Sequence, residues 1–144
     1  MANADDHTTD IGLLNSAWSY FRAAEFLELS TETKQLRLNP DDAIEFLSAH
    51  AYELLFKSYL RTKGLSVAQL SDRKKFGHDL TLLLAEARKQ SLHINFTAGE
   101  EIRFDALANR HGREGLSTRY YSTNGKAQSP PPELREFIFP MFRC

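Results

Sequence analysis

Cysteine is almost absent from this chain of 144 residues, whose only thiol is Cys144. One cysteine cannot form a disulfide within the chain, nor can it build a metal site from several thiolates. Long apolar runs are also absent, because no stretch approaches the roughly 18 uninterrupted apolar residues of a membrane helix. The N-terminus is polar and acidic rather than basic and apolar, unlike a secretory signal. We therefore expect a cytoplasmic protein with no membrane association.

Strict alternation of apolar and polar residues, the pattern of a half-buried strand, is missing too. The apolar spacing instead predicts helices near residues 11–30, 40–63, 78–92 and 98–111, with a short helical turn near 65–71. Hydrophobic residues at 42% and charged residues at 26% are typical of one globular domain of this length. We predict an all-α fold, a four- to five-helix up-and-down antiparallel bundle.

Composition divides this domain further. The segment after residue 112 is rich in Gly, Ser and Pro and contains the turn pair Asn124-Gly125, which predicts a loop. Prolines before and after the next apolar segment delimit one more helix. The predicted organisation is a disordered N-terminus at 1–10 and a single domain at 11–144, comprising a core at 11–112, a loop at 113–130 and a C-terminal helix at 131–139.

Apolar positions spaced by three and four residues indicate which side of each helix faces the core. The expected cap of the first helix is Asp10 or Thr8, and we expect Trp18 in the core or at a dimer seam. Because the first two helices are apolar on more than one face, we predict a homodimer. The expected inward residues are Ile11, Leu14, Trp18, Phe21, Ala24 and Leu27 or Phe26 in the first helix, Leu80, Leu83, Leu84 and Ala87 in the third, and Ile102, Leu107 and Phe104 or Ala106 in the fourth.

The net charge of −1 conceals two halves of opposite sign. Residues 1–56 carry ten acidic and three basic side chains, which gives −7. Residues 57–144 carry fifteen basic and nine acidic side chains, which gives +6. Such a split either presents a basic face to nucleic acid and an acidic face to a basic partner, or consists of solvated helix faces.

The second predicted helix carries a polar stripe in apolar surroundings. His50, Glu53 and Lys57 stand at i, i+3 and i+7 and share one helical face. Exposed, Glu53 and Lys57 form a weak surface pair; buried, the stripe marks a binding site or a subunit seam. His78, expected in the first turn of the third helix, either caps that helix or belongs to the site. A metal site from His50, Glu53 and His78 would suit a helix bundle, but the sequence fixes no further ligand, so we predict no metal and no other cofactor.

Three segments carry a resemblance to a known family. They are RAAEFL at residues 22–27, FLSAHAYELLFKSYL at 46–60 and, after a short basic linker, GHDL at 77–80. Together they resemble the HEPN superfamily of small bacterial and archaeal helical domains, with Arg119-Tyr120 as a looser match. The resemblance implies a four- or five-helix up-and-down domain that is commonly homodimeric. Members of the family act as RNA-cleaving toxins, as RNA-binding modules or as partners of nucleotidyltransferases.

Catalytic members carry an Arg, four to six residues and then a His late in the domain. The cation stabilises charge at the scissile phosphate, and the imidazole moves protons. Here Arg110 and His111 are adjacent, while Arg73 and His78 have the required gap but lie too early in the domain. We therefore predict a non-catalytic binding module for RNA, a nucleotide or a partner protein. The alternatives are a metal-independent ribonuclease that uses these four residues and a purely structural dimerisation domain.

Two further binding residues are predicted in the segment after residue 112. An aromatic ring can stack on an unpaired RNA base, and an arginine beside it can contact the same nucleotide. The predicted binding residues are His50, Glu53, Lys57, His78, Arg119 and Tyr120.

Overall fold

A computed structural model of the chain describes residues 7–35 and 40–112. Within these two ranges the chain forms five helices and no strand, so the prediction of an all-α bundle is confirmed. The predicted loop at 113–130 and the predicted C-terminal helix at 131–139 lie outside the described residues. The helices are α1 (Asp10–Glu32), α2 (Asp41–Thr62), α3 (Val67–Ser71), α4 (Leu80–Lys89) and α5 (Ala98–His111).

Helices α1 and α2 form a closely packed antiparallel pair. Near the end of α2, the Ser58 hydroxyl donates a 2.7 Å hydrogen bond to the carbonyl of Asp10 at the start of α1. Farther along, the rings of Phe21 and Tyr52 meet edge to face with centroids 5.3 Å apart. Small residues at the buried positions let the two helix backbones approach closely. The buried alanines of the pair are Ala17, Ala24, Ala49 and Ala51.

The face that α1 buries is narrower than predicted. Phe21 and Ala24 are buried as expected, and Leu27, the alternative to Phe26, is partly buried against the core, but Ile11, Leu14 and Trp18 are exposed. Their expected place in the core of this chain was wrong, because a buried face made mostly of small residues leaves the bulky ones outside. The large residues exposed on α1 are Ile11, Leu14, Trp18, Phe26 and Leu29.

The start of α1 also differs by one residue from the prediction. Thr9, rather than Asp10 or Thr8, is the N-cap, and its hydroxyl accepts a 3.0 Å hydrogen bond from the backbone N–H of Gly12. A threonine hydroxyl at this position satisfies one of the backbone donors that the first helical turn leaves without an intrahelical acceptor.

Helix α2 is the centre of the bundle, since it packs against α1, α4 and α5. The ring of Phe104 on α5 lies 5.5 Å from that of Tyr52 and 6.0 Å from that of Phe56. All four inward positions predicted for α4 are buried. Ile102, expected inward on α5, is exposed instead, because the buried face of that helix repeats from Phe104 at i, i+3, i+4 and i+7.

A return segment between α2 and α4 determines where α4 begins. Helix α2 ends before Gly64, as predicted, and Gly64 adopts a positive φ of 92° that favours glycine. The short α3 then starts with a capping box formed by Ser66 and Gln69. This segment carries the chain back toward the middle of α2.

None of the helices in the described residues has both the length and the apolar character needed to cross a membrane.

The core assignment predicts a large difference between two residues of α5. Phe104→Ala removes a side chain that is 2% exposed, and we expect it to lower the free energy of unfolding by about 3–5 kcal/mol. Ile102→Ala, at a position that is 70% exposed, should change it by less than about 0.5 kcal/mol. Urea denaturation followed by circular dichroism measures both. Equal effects of the two substitutions would contradict this orientation of α5.

Candidate functional site

The carboxylate of Glu53 lies at the centre of the most densely connected polar group in the described residues. Its side chain is only 2% exposed, although it stands on the polar stripe of α2. Four other side chains from α2, α5 and the loop before α4 surround it. We call this group the Glu53 cluster; its members are His50, Glu53, Lys57, His78 and His111.

One oxygen of the carboxylate binds the two members that lie toward the return segment. Lys57 donates from Nζ to Oε1 over 2.7 Å, one helical turn along α2. His78 Nδ1 lies 2.8 Å from the same oxygen. The side chain of Lys57 is mostly buried, whereas that of His78 is 46% exposed, the largest value in the cluster. His78 is therefore the member that a ligand in solution meets first.

The other oxygen faces two imidazoles. His111 Nε2 lies 2.9 Å from Oε2, and the ring of His111 is fully buried. His50 Nδ1 lies 3.7 Å from Oε2, and its side chain is 27% exposed. The His50 ring is held between two aromatic neighbours: Phe46 stacks on it at 5.8 Å, and Tyr20 contacts it edge to face at 4.6 Å.

Burial and hydrogen bonding act in opposite directions on Glu53. Burial raises the pKa of a carboxyl, but the contacts with His111 and His50 and the charge of Lys57 outweigh it, so the pKa of Glu53 lies well below its ordinary value. The carboxylate is thus ionised and can only accept hydrogen bonds. It follows that His78 carries a proton on Nδ1 and His111 carries one on Nε2.

The loop from Asp72 to Asp79 holds His78 in place. The Asp72 carbonyl accepts hydrogen bonds from the N–H groups of Lys75, Phe76 and Gly77. Gly77 adopts a positive φ of 52°, and a Cβ there would lie 3.3 Å from the Arg73 backbone, so the turn requires glycine.

The expected helix position of His78 was wrong. Asp79, and not His78, is the N-cap of α4, since its carboxylate accepts hydrogen bonds from the N–H groups of Thr81 and Leu82. A short carboxylate at the cap position satisfies these donors better than an imidazole. His78 therefore precedes the helix, and its ring contacts Glu53 instead.

Helix α5 brings His111 to the cluster from the opposite side. His111 is the last residue of α5, and Gly112 follows it beside Asp79. A Cβ on Gly112 would lie 3.0 Å from the Ala108 carbonyl oxygen and 3.7 Å from the Asp79 backbone. The preceding Arg110 forms an ion pair with the buried Glu45 of α2. The end of α5 is therefore fixed against both α2 and the start of α4.

The structure brings together four of the six predicted binding residues, His50, Glu53, Lys57 and His78. Arg119 and Tyr120, the other two, lie outside the described residues. Among the catalytic candidates, Arg73 is exposed on the loop, and His111 and Arg110 occupy the positions given above. Sequence reasoning did not assign His111 to the stripe, and it did not name Glu45 at all. A signal for His111 was present, because it completes the inward face of α5 at i+7 from Phe104.

Comparisons of the chain with protein-family models, with curated proteins and with solved structures found no match. The resemblance to the HEPN superfamily therefore stays a prediction.

The lowered pKa of Glu53 predicts how stability depends on pH. Glu53→Gln keeps the shape but removes the charge, and we expect it to lower the free energy of unfolding by about 1–3 kcal/mol at neutral pH. As the pH falls, the unfolded chain takes up the carboxyl proton before the folded one does. The extra stability of the wild type is thus complete at pH values above 4.5, the ordinary pKa of a glutamate, and shrinks at lower pH.

Urea denaturation of both proteins at neutral pH and at a series of lower pH values measures this difference. Glu101→Gln, at an exposed position of α5, is the matched control and should shift stability little at any pH. A gap between wild type and Glu53→Gln that stays constant or widens in acid would rule out the proposed charge state.

Proposed function

We propose that this chain is a HEPN-like, non-catalytic module that binds single-stranded RNA at the Glu53 cluster and acts as a homodimer in the cytoplasm. The observation that carries the proposal is the position of His78. It is the most exposed member of the cluster, and it follows three exposed cations on the same loop. We call Arg73, Lys74 and Lys75 the basic loop.

The basic loop has the properties of a phosphate-binding segment. Its three side chains are exposed, while its backbone is held by Asp72, whose carbonyl and carboxylate both accept hydrogen bonds from it. Cations on an ordered loop lose less conformational freedom on binding than cations on a mobile one. The loop also belongs to the half of the chain that carries the excess of +6. These features support an electrostatic contact with a phosphodiester backbone.

His78 adds a directional contact to this charge. Glu53 accepts from Nδ1 and so fixes which ring nitrogen carries a proton. The other ring nitrogen then accepts a hydrogen bond from a ribose hydroxyl when the ring is neutral, or donates one to a phosphate when it is protonated. A 2′-hydroxyl is the group that distinguishes RNA from DNA, which is why we propose RNA as the ligand.

The surroundings of the other catalytic candidates favour binding over cleavage. Metal-independent cleavage requires groups that reach the 2′-OH, the scissile phosphate and the leaving oxygen. Arg110 is paired with Glu45, and the ring of His111 is fully buried against Glu53. Of the two histidines among the candidates, only His78 is accessible to RNA, and one imidazole does not supply both an acid and a base.

The RNA proposal predicts a specific loss of salt dependence. Lys74→Ala with Lys75→Ala should weaken the binding of a mixed-sequence single-stranded RNA oligonucleotide. It should also reduce the slope of log K against log salt by about 1.4, since each phosphate contact to a single strand contributes about 0.7. Fluorescence anisotropy at several salt concentrations gives both quantities.

Lys63→Ala with Lys89→Ala is the matched control for this experiment. Both lysines are exposed and lie at the C-terminal ends of α2 and α4. The Tyr59–Gln90 hydrogen bond joins these two ends, which are away from His78. Equal weakening by the two double variants would indicate diffuse charge rather than a basic-loop site. Cleavage of the RNA in the presence of a chelator would replace the binding proposal with the ribonuclease alternative.

The homodimer proposal concerns the exposed side of α1. Five large apolar residues lie within about a third of the circumference of this helix, given 3.6 residues per turn. The Arg22–Glu25 ion pair lies on the same side of the helix, between Trp18 and Phe26. Exposed apolar residues that share one side of a helix are typical of a subunit interface. We propose that a second copy of this chain covers these residues, which are Ile11, Leu14, Trp18, Phe26 and Leu29.

Light scattering at micromolar concentration tests this assembly. We expect a dimeric mass for the wild type and a monomeric mass for Phe26→Glu, because a carboxylate in an apolar seam loses its hydration. Ile102→Glu on α5 is the control at nearly the same exposure, 70% against 68% for Phe26, and should remain dimeric. A monomeric wild type would contradict the proposal.

A further inference from the structure

The two oxygens of Glu53 have different partners. Oε1 accepts a hydrogen bond from Lys57 and contacts His78, both at hydrogen-bond distance. Oε2 lies 2.9 Å from His111 Nε2 and 3.7 Å from His50 Nδ1. One carboxylate oxygen and two imidazole nitrogens thus converge on one point, and all three donor atoms lie within 4.8 Å of one another.

These spacings match the coordination sphere of a small divalent transition metal. In a tetrahedral Zn²⁺ site, bonds of about 2.0–2.2 Å place neighbouring donor atoms about 3.3 Å apart. The two distances from Oε2, 2.9 and 3.7 Å, lie on either side of that value. Each distance differs from it by about 0.4 Å, and His50 is the more exposed of the two rings.

The surroundings of the three donors are those of a preorganised site. Phe46 and Tyr20 fix the plane of the His50 ring, and burial fixes the His111 ring at the end of α5. Lys57 and His78 hold Oε1, which orients the carboxylate so that Oε2 points at the two imidazoles. Outer partners of this kind commonly orient the ligands of metal sites and tune their basicity.

We propose that His50 Nδ1, Glu53 Oε2 and His111 Nε2 form a binding site for one divalent transition metal ion, with Zn²⁺ as the best match. Two imidazoles and one carboxylate are a known ligand set for zinc, and they leave a fourth position for water or an anionic group. Zn²⁺ binds such nitrogen and oxygen donors more tightly than Mn²⁺ or Fe²⁺ does. This proposal departs from our prediction from sequence that the chain holds no metal, and its evidence does not rest on the proposed RNA contact.

Metal binding at this site requires a change of tautomer at His111. His111 Nε2 donates a proton to Oε2 in the metal-free protein, and that nitrogen must present its lone pair to coordinate the metal. The hydrogen moves to Nδ1, so the neutral ring changes tautomer and no net proton is released.

Calorimetric titration of the untagged, chelator-treated full chain with Zn²⁺, in the absence of RNA, tests the site. We expect saturable binding of one ion per chain. Titration with Co²⁺ should give the intense visible absorption of a tetrahedral ion. A wild-type protein that shows no saturable binding of either ion overturns the proposal.

Histidine variants assign the ligands. His50→Gln should weaken binding by more than the roughly tenfold to hundredfold that loss of an outer partner costs, whereas His78→Gln should stay within that range. His93→Gln, at an exposed histidine outside the cluster, is the matched control and should leave affinity unchanged. Circular dichroism confirms the folding of each variant, and His111→Gln provides the same test from α5. Unchanged affinity in a folded His50→Gln, or equal losses in all variants, overturns the ligand set, while failure of RNA binding alone does not affect it.

Discussion

A single buried charge organises this bundle. The ionised carboxylate of Glu53 lies in the interior, where its desolvation would cost several kcal/mol without compensation. Three elements compensate this cost: α2 itself through Lys57, the loop before α4 through His78, and the end of α5 through His111. A misplacement of any of these elements removes one of the partners of the carboxylate. The polar centre therefore specifies the mutual arrangement of α2, α4 and α5 in a way that the aliphatic and aromatic core does not.

The local features around the cluster serve this arrangement. Asp79 caps α4 and so leaves His78 outside the helix, where its ring contacts Glu53. Gly77 permits the turn before it, and Gly112 permits α5 to end beside Asp79. The pairing of Glu45 with Arg110 holds the last turn of α5 against α2. Each feature is weak in isolation, but together they fix where two imidazoles approach one carboxylate.

The sequence predicted helices more reliably than it predicted faces. Periodicity located the helical segments, and it identified the whole inward face of α4, because four apolar residues there admit one orientation. It failed on α1, where apolar residues surround the helix and small buried alanines, which carry little hydropathy signal, decide the orientation. The polar stripe of α2 was visible in the sequence from its spacing. The participation of His111 was not assigned, since a contact between residues 58 positions apart depends on how α5 packs and not on any local pattern.

The two carboxylate oxygens of Glu53 contact different partners, so this one residue can serve two purposes. On the Oε1 side, Lys57 and His78 connect the buried charge to the surface and to the basic loop. On the Oε2 side, His111 and His50 form a largely enclosed pair of nitrogen donors. A cation at Oε2 would take over part of the charge that Lys57 now balances, and would leave His78 and Lys57 more positive toward an anion. Metal at one oxygen and phosphate near the other would then favour each other, because each reduces the electrostatic cost of the other.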